Sequence, residues 1–186
     1  MLCYNAQDLA RSFRTVRTNT IKIAEEIPED KYGFQPAPGT RTVAQTLGHV
    51  AVITIWTREF QSGRPTSVDF QTFSAALQRI NAAEQALDTK AKLLDALQKN
   101  GDDFASWLEK QSDEFLAEHV NFPAPMQPPS KTRFEMILAV KEHEMHHRAQ
   151  LMIVERIIGI TPHLTREMEA RIAEAQTQMQ QAGSRG

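Results

Sequence analysis

The chain has 186 residues and a formal net charge of −2, with 41% hydrophobic and 24% charged residues. This composition is typical of a soluble globular domain with a sizeable core. It lacks the basic excess of a nucleic-acid-binding surface, and no apolar run approaches the roughly 18 residues of a membrane span. We therefore expect a single domain over residues 1–186, without a nucleic-acid or membrane partner.

Cysteine usage and the first residues indicate a compartment. The one cysteine, Cys3, excludes an internal disulfide and favours a reducing environment. The opening residues MLCYNAQDLARSF lack the basic start and apolar block of a secretory signal peptide. We expect the protein to be cytoplasmic.

The first two predicted helices lie on either side of a proline-rich loop. The first helix carries apolar residues at steps of three, four and seven, and it ends at Pro28. The loop over residues 28–41 contains three prolines and two glycines. Thr42, with Gln45 three residues later, forms a capping box that predicts the start of the second helix.

The middle of the chain is less regular. Residues 70–88 are ambiguous, and we predict that they are partly helical. Asp88 or Thr89 then caps a third long helix. Gly101 lies inside this helix and is expected to weaken it locally.

The fourth helix follows a loop that contains four prolines, FPAPMQPPSK. Ser130 or Thr132 is expected to open it. Gly159 is suited to its C-terminal cap, and Pro162 blocks its continuation.

Four long helices without convincing strand alternation indicate an all-α fold, and we predict an up-down four-helix bundle. Its core is expected over residues 5–161, followed by an extra C-terminal helix over residues 164–181 and a frayed tail. A helical domain of another connectivity is the alternative. Because Leu47 and Ile55 extend the apolar surface of the second helix beyond a narrow stripe, we also expect a homodimer.

Three histidines fall on inward-facing stripes of two helices. At about 100° per residue, His147 lies roughly 40° from His143, between the positions of Met136 and Val140. The i, i+4 spacing lets both imidazoles reach one ion. His49 lies on the apolar stripe of the second helix. Three histidines from two helices would bind one divalent ion and leave positions open for water or substrate, as catalytic sites do.

Each histidine also has a plainer explanation. A buried imidazole can be hydrogen-bonded within the core. The three histidines can also form hydrogen bonds with one another without a metal. His119 and His163 are predicted to be ordinary surface residues. His146 is expected to be exposed, with a place beside the ligands as the alternative.

Residues 143–147, HEMHH, also match the zinc-protease pattern H-E-x-x-H. A protease would need Glu144 as its general base and a third ligand downstream, for which Glu167 and Glu169 are available. The pattern is short, and no strand-like segment is predicted to hold an extended peptide. A metallopeptidase is therefore the less favoured hypothesis. Glu144 is then a candidate for orienting a ligand or a bound water, or a solvated residue on the helix surface.

Two stretches carry a recognisable combination of motifs. YGFQPAPGTRTVAQTLGHV leads from a proline-rich loop into a helix with one histidine, and KEHEMHHRAQLMIVERIIGITP contains H-x-x-x-H-R-x-Q-L before a glycine–proline helix end. Together, about 90 residues apart, they resemble the signatures of the DinB-like (YfiT-like) metalloprotein superfamily over most of the chain. Ala149 stands where that motif frequently has a glycine.

The resemblance implies a four-helix bundle, often dimeric, with a metal held by His49, His143 and His147. It also implies roles for Arg148 and Gln150, which match motif positions after the last ligand. The superfamily includes thiol-dependent S-transferases and isomerases. The implied function is a metal-dependent enzyme, of thiol S-transferase or hydrolase type, acting on a small molecule such as a low-molecular-weight thiol. Zinc or nickel is the expected metal, and iron or copper is also compatible. The alternative function is a non-catalytic stress-response or binding bundle that the metal only stabilises.

Overall fold

The computed structural model describes residues 4–183, so Cys3 and the last three residues of the expected frayed tail lie outside the description. Within that range the chain forms seven α-helices, one short 3₁₀ helix and a pair of short strands. The elements are α1 (Ala6–Glu26), the 3₁₀ helix (Glu29–Lys31), α2 (Val43–Ser62), α3 (Phe70–Gln85), α4 (Lys90–Leu108), α5 (Asp113–Ala117), β1 (His119–Asn121), β2 (Ser130–Thr132), α6 (Arg133–Ile157) and α7 (His163–Gly183).

Helices α1, α2, α4 and α6 form the predicted four-helix bundle. α1 and α2 each pack against both α4 and α6, so that α1 and α2 face each other across the diagonal. Buried apolar side chains fill the centre in two clusters. Leu47 and Leu97 belong to one cluster. Phe13 and Phe104 belong to the other, where their rings meet edge to face at 5.0 Å. The all-α bundle expected from the sequence is confirmed.

The directions of the four bundle helices depart from a simple up-down order. Contacts of Ala51 with Asn100 and of Arg58 with Asp103 show that α2 and α4 run parallel. The cause lies in residues 70–88, which the sequence left ambiguous. They contain a full helix, α3, that runs back along the outside of α2. The chain therefore returns to the end where α2 began before it enters α4.

Side-chain caps fix where the bundle helices begin. Thr42 and Thr132 form reciprocal capping boxes with the residues three positions later, and Asn5 does the same for α1. Thr89 caps α4. The side-chain oxygens of these cap residues accept hydrogen bonds from N–H groups in the first turn, which have no partner within the helix. The predicted caps at Thr42, Thr89 and Thr132 are confirmed.

An ion pair between Arg17 of α1 and Glu144 of α6 is buried at the centre of the bundle. Arg17 Nε and Nη2 donate to the two carboxylate oxygens of Glu144, each at 2.9 Å. The same guanidinium donates to the backbone oxygen of Leu97 in α4 at 2.7 Å and to that of Val50 in α2 at 3.1 Å. One side chain of α1 is thus bonded to the other three bundle helices. A Cβ at Gly101 would lie 2.9 Å from Cγ of Arg17, which explains a glycine inside α4.

A second buried arginine, Arg133, organises the end of the bundle where α6 begins. It donates to Gln61 at the end of α2 and to Glu118 before β1, each at 2.8 Å, and to the backbone oxygen of Pro65 at 3.0 Å. Strands β1 and β2 pair antiparallel at the same end. Arg133 therefore ties the loops around the short strands to both α2 and α6.

The C-terminal helix forms as α7 and packs on α1 through its first turn. His163 in this turn is only 2% exposed, with Nε2 3.2 Å from Oδ1 of Asn19. The expectation that His163 is a surface residue was wrong, because the loop before it folds the turn against α1. From Met168 to residue 182 the side chains of α7 are exposed.

Beside this junction, Glu155 of α6 is fully buried, and neither of its carboxylate oxygens has a hydrogen-bond partner among the described residues. Burial, followed by the neighbouring carboxylate of Glu26, raises the pKa of Glu155 to about 7. Arg166 and Arg156 act in the opposite direction but do not offset the burial. The carboxyl of Glu155 is therefore mainly neutral in the folded protein below about pH 7.

The structure bears on two expectations about partners, which concern a membrane and a second copy of the chain. No helix within residues 4–183 combines the length and apolar character needed to cross a bilayer. Leu47 is fully buried inside the bundle and contributes nothing to a dimer surface, whereas Ile55 is half-buried. The homodimer stays a prediction, without support from Leu47.

Gly101→Ala should destabilise the protein, because the added Cβ would collide with an arginine held by four hydrogen bonds. We expect the free energy of unfolding in urea to fall by about 1–3 kcal/mol, the usual cost of overpacking a core. Gly48→Ala is the matched control, because a Cβ there meets Leu93 at an ordinary 3.5 Å and alanine favours a helix over glycine. Gly101→Ala protein as stable as wild type would contradict the packing described for Arg17.

Glu155→Gln should stabilise the protein increasingly as the pH rises from about 5 to about 7. The folded-state pKa of Glu155 lies above its unfolded value, so the unfolded carboxyl ionises first and the free energy of unfolding falls across this interval. A neutral glutamine avoids that loss, which is at most about 3 kcal/mol for a shift from 4.5 to about 7. Urea unfolding of both proteins at the two ends of the interval measures the difference.

Glu167→Gln is the control for that measurement. The hydrogen bond and charge of Lys22 lower the pKa of Glu167, so Glu167 is ionised in the folded and unfolded protein at both ends of the interval, and this substitution should change the stability equally at both pH values. A difference between Glu155→Gln and wild type that is the same at both pH values would show that Glu155 does not ionise in this interval.

Candidate metal centre

His49 of α2 meets His143 and His147 of α6, as the helical geometry predicted. Nε2 of His143 lies 3.2 Å from Nε2 of His49 and 3.0 Å from Nε2 of His147. One nitrogen from each ring can be chosen so that all three lie within 4.8 Å of one another. The rings cross nearly edge to face, so the nitrogens approach without the rings stacking.

Two of the imidazoles are oriented through their other nitrogen. Nδ1 of His49 lies 2.7 Å from Oε1 of Glu84, and Nδ1 of His147 lies 2.8 Å from Oε1 of Gln150. Carboxylate and amide oxygens accept hydrogen bonds, so Nδ1 carries the hydrogen in both rings and donates it. The Nε2 lone pairs of both rings are therefore free and directed to the point where the three rings meet, as in metal-binding histidines.

The surroundings favour the neutral form of the His143 and His147 rings. Burial, followed by the neighbouring charges of His147 and His49, lowers the pKa of His143 to about 4. Burial also lowers the pKa of His147, although the hydrogen bond that His147 donates to Gln150 acts in the opposite direction. Arg41 contributes to lowering both pKa values. Because a metal competes with protons for imidazole nitrogen, neutral rings favour its binding.

Two of the separations between the three nitrogens suit a small divalent ion. Two nitrogens at 2.0–2.1 Å from one tetrahedral zinc lie about 3.3 Å apart, close to the observed separations of 3.0 and 3.2 Å. Within residues 4–183, no fourth His, Cys, Asp or Glu joins the cluster. Structural zinc sites use four protein ligands, whereas catalytic sites use three and leave a position open. The residues present therefore fit an open metal centre.

The structure directs Glu144 away from the two histidines that flank it. Consecutive positions on a helix point about 100° apart, and α6 contacts α1 as well as α2. Glu144 faces α1, where both of its oxygens are bonded to Arg17. This arrangement leaves the metallopeptidase hypothesis without a general base at the histidines.

Two further residues were predicted to lie near the ligands. Gln150 contacts a candidate ligand, and Arg148 does not. Gln150 holds His147 and also lies 3.1 Å from Nε2 of the exposed His146. Arg148 is half-buried and lines neither of the cavities beside the histidines. The hydrogen bond of Gln150 gives that motif position a physical role, which is to fix the tautomer of His147.

Two cavities adjoin the three histidines from different sides. One, of about 510 Å³, is lined by His147, His146 and the loop before α2, including Arg41. The other, of about 330 Å³, is lined by His49, His143 and mostly apolar side chains of α2, α3 and α6. Both volumes lie in the range of small-molecule sites. A small molecule in either cavity would lie against at least one of the candidate ligands.

Glu84 is the site residue that the sequence prediction missed. It lies in α3, the stretch with ambiguous helical character, 35 residues from His49. A signal was nevertheless present. Ala76 and Ile80 form the buried side of α3, and Glu84 continues the same side one turn later. An acidic residue that extends an apolar helix face is the pattern that would have identified it.

Comparison with known proteins agrees with the helical bundle fold. A family model described as the DinB superfamily matches residues 12–151, which include all three histidines. Among solved structures, YfiT from Bacillus subtilis, described as a probable metal-dependent hydrolase with an unusual four-helix bundle topology, is 14% identical with a TM-score of 0.67. That match covers 87% of this chain and 91% of YfiT.

A second solved structure, the Sibling Lethal Factor Precursor DfsB, is also 14% identical, with a TM-score of 0.59. That match covers 84% of this chain and 98% of DfsB. No curated protein is significantly similar in sequence. At these identities the two structures show a shared fold.

Replacing Glu84 by glutamine should weaken zinc binding about ten- to hundredfold, the usual effect of losing a partner behind a ligand histidine. Glutamine keeps the size of the side chain but removes the negative charge that makes the His49 ring a stronger donor to a metal. Competition with a chromophoric chelator measures the dissociation constant.

Glu59→Gln is the matched control for Glu84→Gln. It removes another glutamate between α2 and α3, the partner of Arg79, ten residues along α2 from His49. Equal zinc affinity for wild type and both variants would show that Glu84 does not support His49.

Proposed function

Because the chain belongs to the DinB superfamily, we propose that it is a metal-dependent enzyme that acts on a small molecule at its three-histidine centre. Hydrolysis is the first candidate reaction, since YfiT, which shares the fold, is described as a probable metal-dependent hydrolase. Transfer of a low-molecular-weight thiol is the second candidate, by resemblance to other members of the superfamily.

The open geometry of the histidines carries this proposal. Three imidazole nitrogens converge, no fourth protein ligand joins them within residues 4–183, and two cavities of small-molecule size adjoin them. A metal that served stability alone would be better enclosed by four protein ligands. An open position between two cavities is the arrangement that a substrate requires.

The chain's own residues would divide the work at this centre. His49, His143 and His147 would hold the ion. Glu84 and Gln150 keep the hydrogen on Nδ1 of two rings, so that Nε2 stays available. The neutral imidazoles suit zinc or nickel, with iron and copper also compatible. When bound, such an ion supplies Lewis-acid chemistry and lowers the pKa of a water or thiol that reaches it.

Protein purified without an affinity tag should contain about one divalent transition metal per chain, as measured by elemental analysis. His147→Ala should lose this metal, because two imidazoles and no carboxylate ligand remain. His119→Ala is the matched control, since His119 is an exposed histidine of β1 at the other end of the bundle. Absence of stoichiometric metal from wild type and both variants would refute the metal centre and leave the histidines bonded to one another.

Activity is tested on the same proteins. Metal-loaded and chelator-treated protein are compared on esters, amides and activated aryl halides, with and without glutathione as a thiol. Metal-dependent turnover without thiol supports a hydrolase, and turnover that needs the thiol supports a transferase. Stoichiometric metal without any turnover in the panel would favour the non-catalytic binding bundle.

A further inference from the structure

The smaller cavity beside His49 and His143 is a cleft with an apolar wall on each side. Its walls come from α2, α3 and α6, and six large side chains form most of them. These are Ile53, Trp56, Phe73, Leu77, Ile80 and Val140. The cleft ends at two of the three candidate ligands, so an apolar group inside it would lie against the metal centre.

Helix α3 leaves this cleft open. It packs against α2, and its side chains Phe73 and Leu77 are each 43% exposed. Exposed apolar residues grouped around a concave site indicate a binding surface, because they would otherwise be covered or replaced by polar residues. Phe73 and Leu77 line the same cleft as His49 and His143. A molecule that covers these two apolar side chains would therefore also lie against the metal centre.

The opposite side of the histidines carries a free cation. Arg41 lines the larger cavity together with His147. It has no ion-pair or hydrogen-bond partner within the described part of the chain, unlike Arg17 and Arg133. The Arg41 side chain is exposed, and its charge contributes to lowering the pKa of both His143 and His147. An unpaired guanidinium in a cavity is suited to bind a carboxylate or another small anion.

We propose that the substrate of this centre is a small amphipathic molecule. Its apolar chain or ring lies in the cleft between α3 and α6, and its anionic group is bound by Arg41 on the other side of the histidines. The reacting group then lies between the two, at the three Nε2 atoms. This inference rests on the proposed function and specifies the substrate class for it.

Sodium salts of butyrate, hexanoate and octanoate are suitable probes, and Trp56 is a suitable reporter. The chain has two tryptophans, and the other, Trp107, packs against Phe104 and Phe115 away from the cleft. In a Trp107→Phe background, fluorescence then reports on the cleft. We expect the affinity to rise with chain length by up to about fourfold for each buried methylene. Calorimetric titration of the unmodified chain measures the same series should Trp107→Phe disturb folding.

Two phenylalanines of α3 provide a matched pair of variants. Phe73→Ala, in the cleft wall, should weaken octanoate binding roughly tenfold, as expected for losing part of a buried aromatic contact. Phe70→Ala, on the same helix and 59% exposed, does not touch the cleft and should leave the affinity unchanged. Arg41→Gln should weaken octanoate binding but not the binding of 1-octanol, which has the same chain without the charge.

The inference is overturned by any of three results. These are no octanoate binding, an affinity independent of chain length, or equal effects of Phe73→Ala and Phe70→Ala. Metal analysis of the same samples separates this failure from that of the proposed function. Stoichiometric metal without octanoate binding refutes the substrate class alone, whereas absence of metal refutes the proposed function whatever octanoate does.

Discussion

The orientation of α6, which carries two of the three candidate ligands, depends on the buried ion pair between Arg17 and Glu144. A charge taken out of water is tolerated only when it is closely paired, and losing one partner of such a pair typically costs about 3–5 kcal/mol. Arg17 meets this condition with two bonds to Glu144 and one each to α2 and α4. These bonds fix the rotation of α6 about its own axis. Because Glu144 must face α1, its neighbour His143 must face α2, where His49 lies.

The charge balance around the histidines supports the proposal of an anionic substrate. The Arg17–Glu144 pair is neutral as a unit, and the three imidazoles are neutral as ligands. Of the described side chains that bond to the three histidines, Glu84 is the one that carries a negative charge to offset a divalent ion, and Arg41 adds a positive charge in the larger cavity. A loaded centre of this kind carries a local excess of positive charge in a partly buried place, where such an excess attracts small anions most strongly.

Helix spacing and cap residues were sufficient to predict the bundle, its main helix starts and the convergence of His49, His143 and His147. Those features depend on periodicity within single helices, which a sequence displays directly. The order and direction of helices depend on which faces meet, and the exposed character of α3 concealed the helix that changes them. The direction of the Glu144 side chain could not be predicted for the same reason. Its position between His143 and His147 in the sequence does not indicate which neighbouring helix it faces. His163 is buried through a loop conformation that no periodic pattern records.

Helix α3 carries Glu84 near one end and Phe73 and Leu77 nearer the other. It is held mainly by α2, so it is the helix beside the centre with the fewest neighbours to fix its position. A ligand in the cleft would contact α3 directly, and an ion on Nε2 of His49 would act on α3 through the hydrogen bond between Nδ1 and Glu84. Their binding free energies would therefore be linked through this helix. Thermodynamic linkage is reciprocal. If the ion raises the affinity for the apolar ligand by some factor, the ligand raises the affinity for the ion by the same factor.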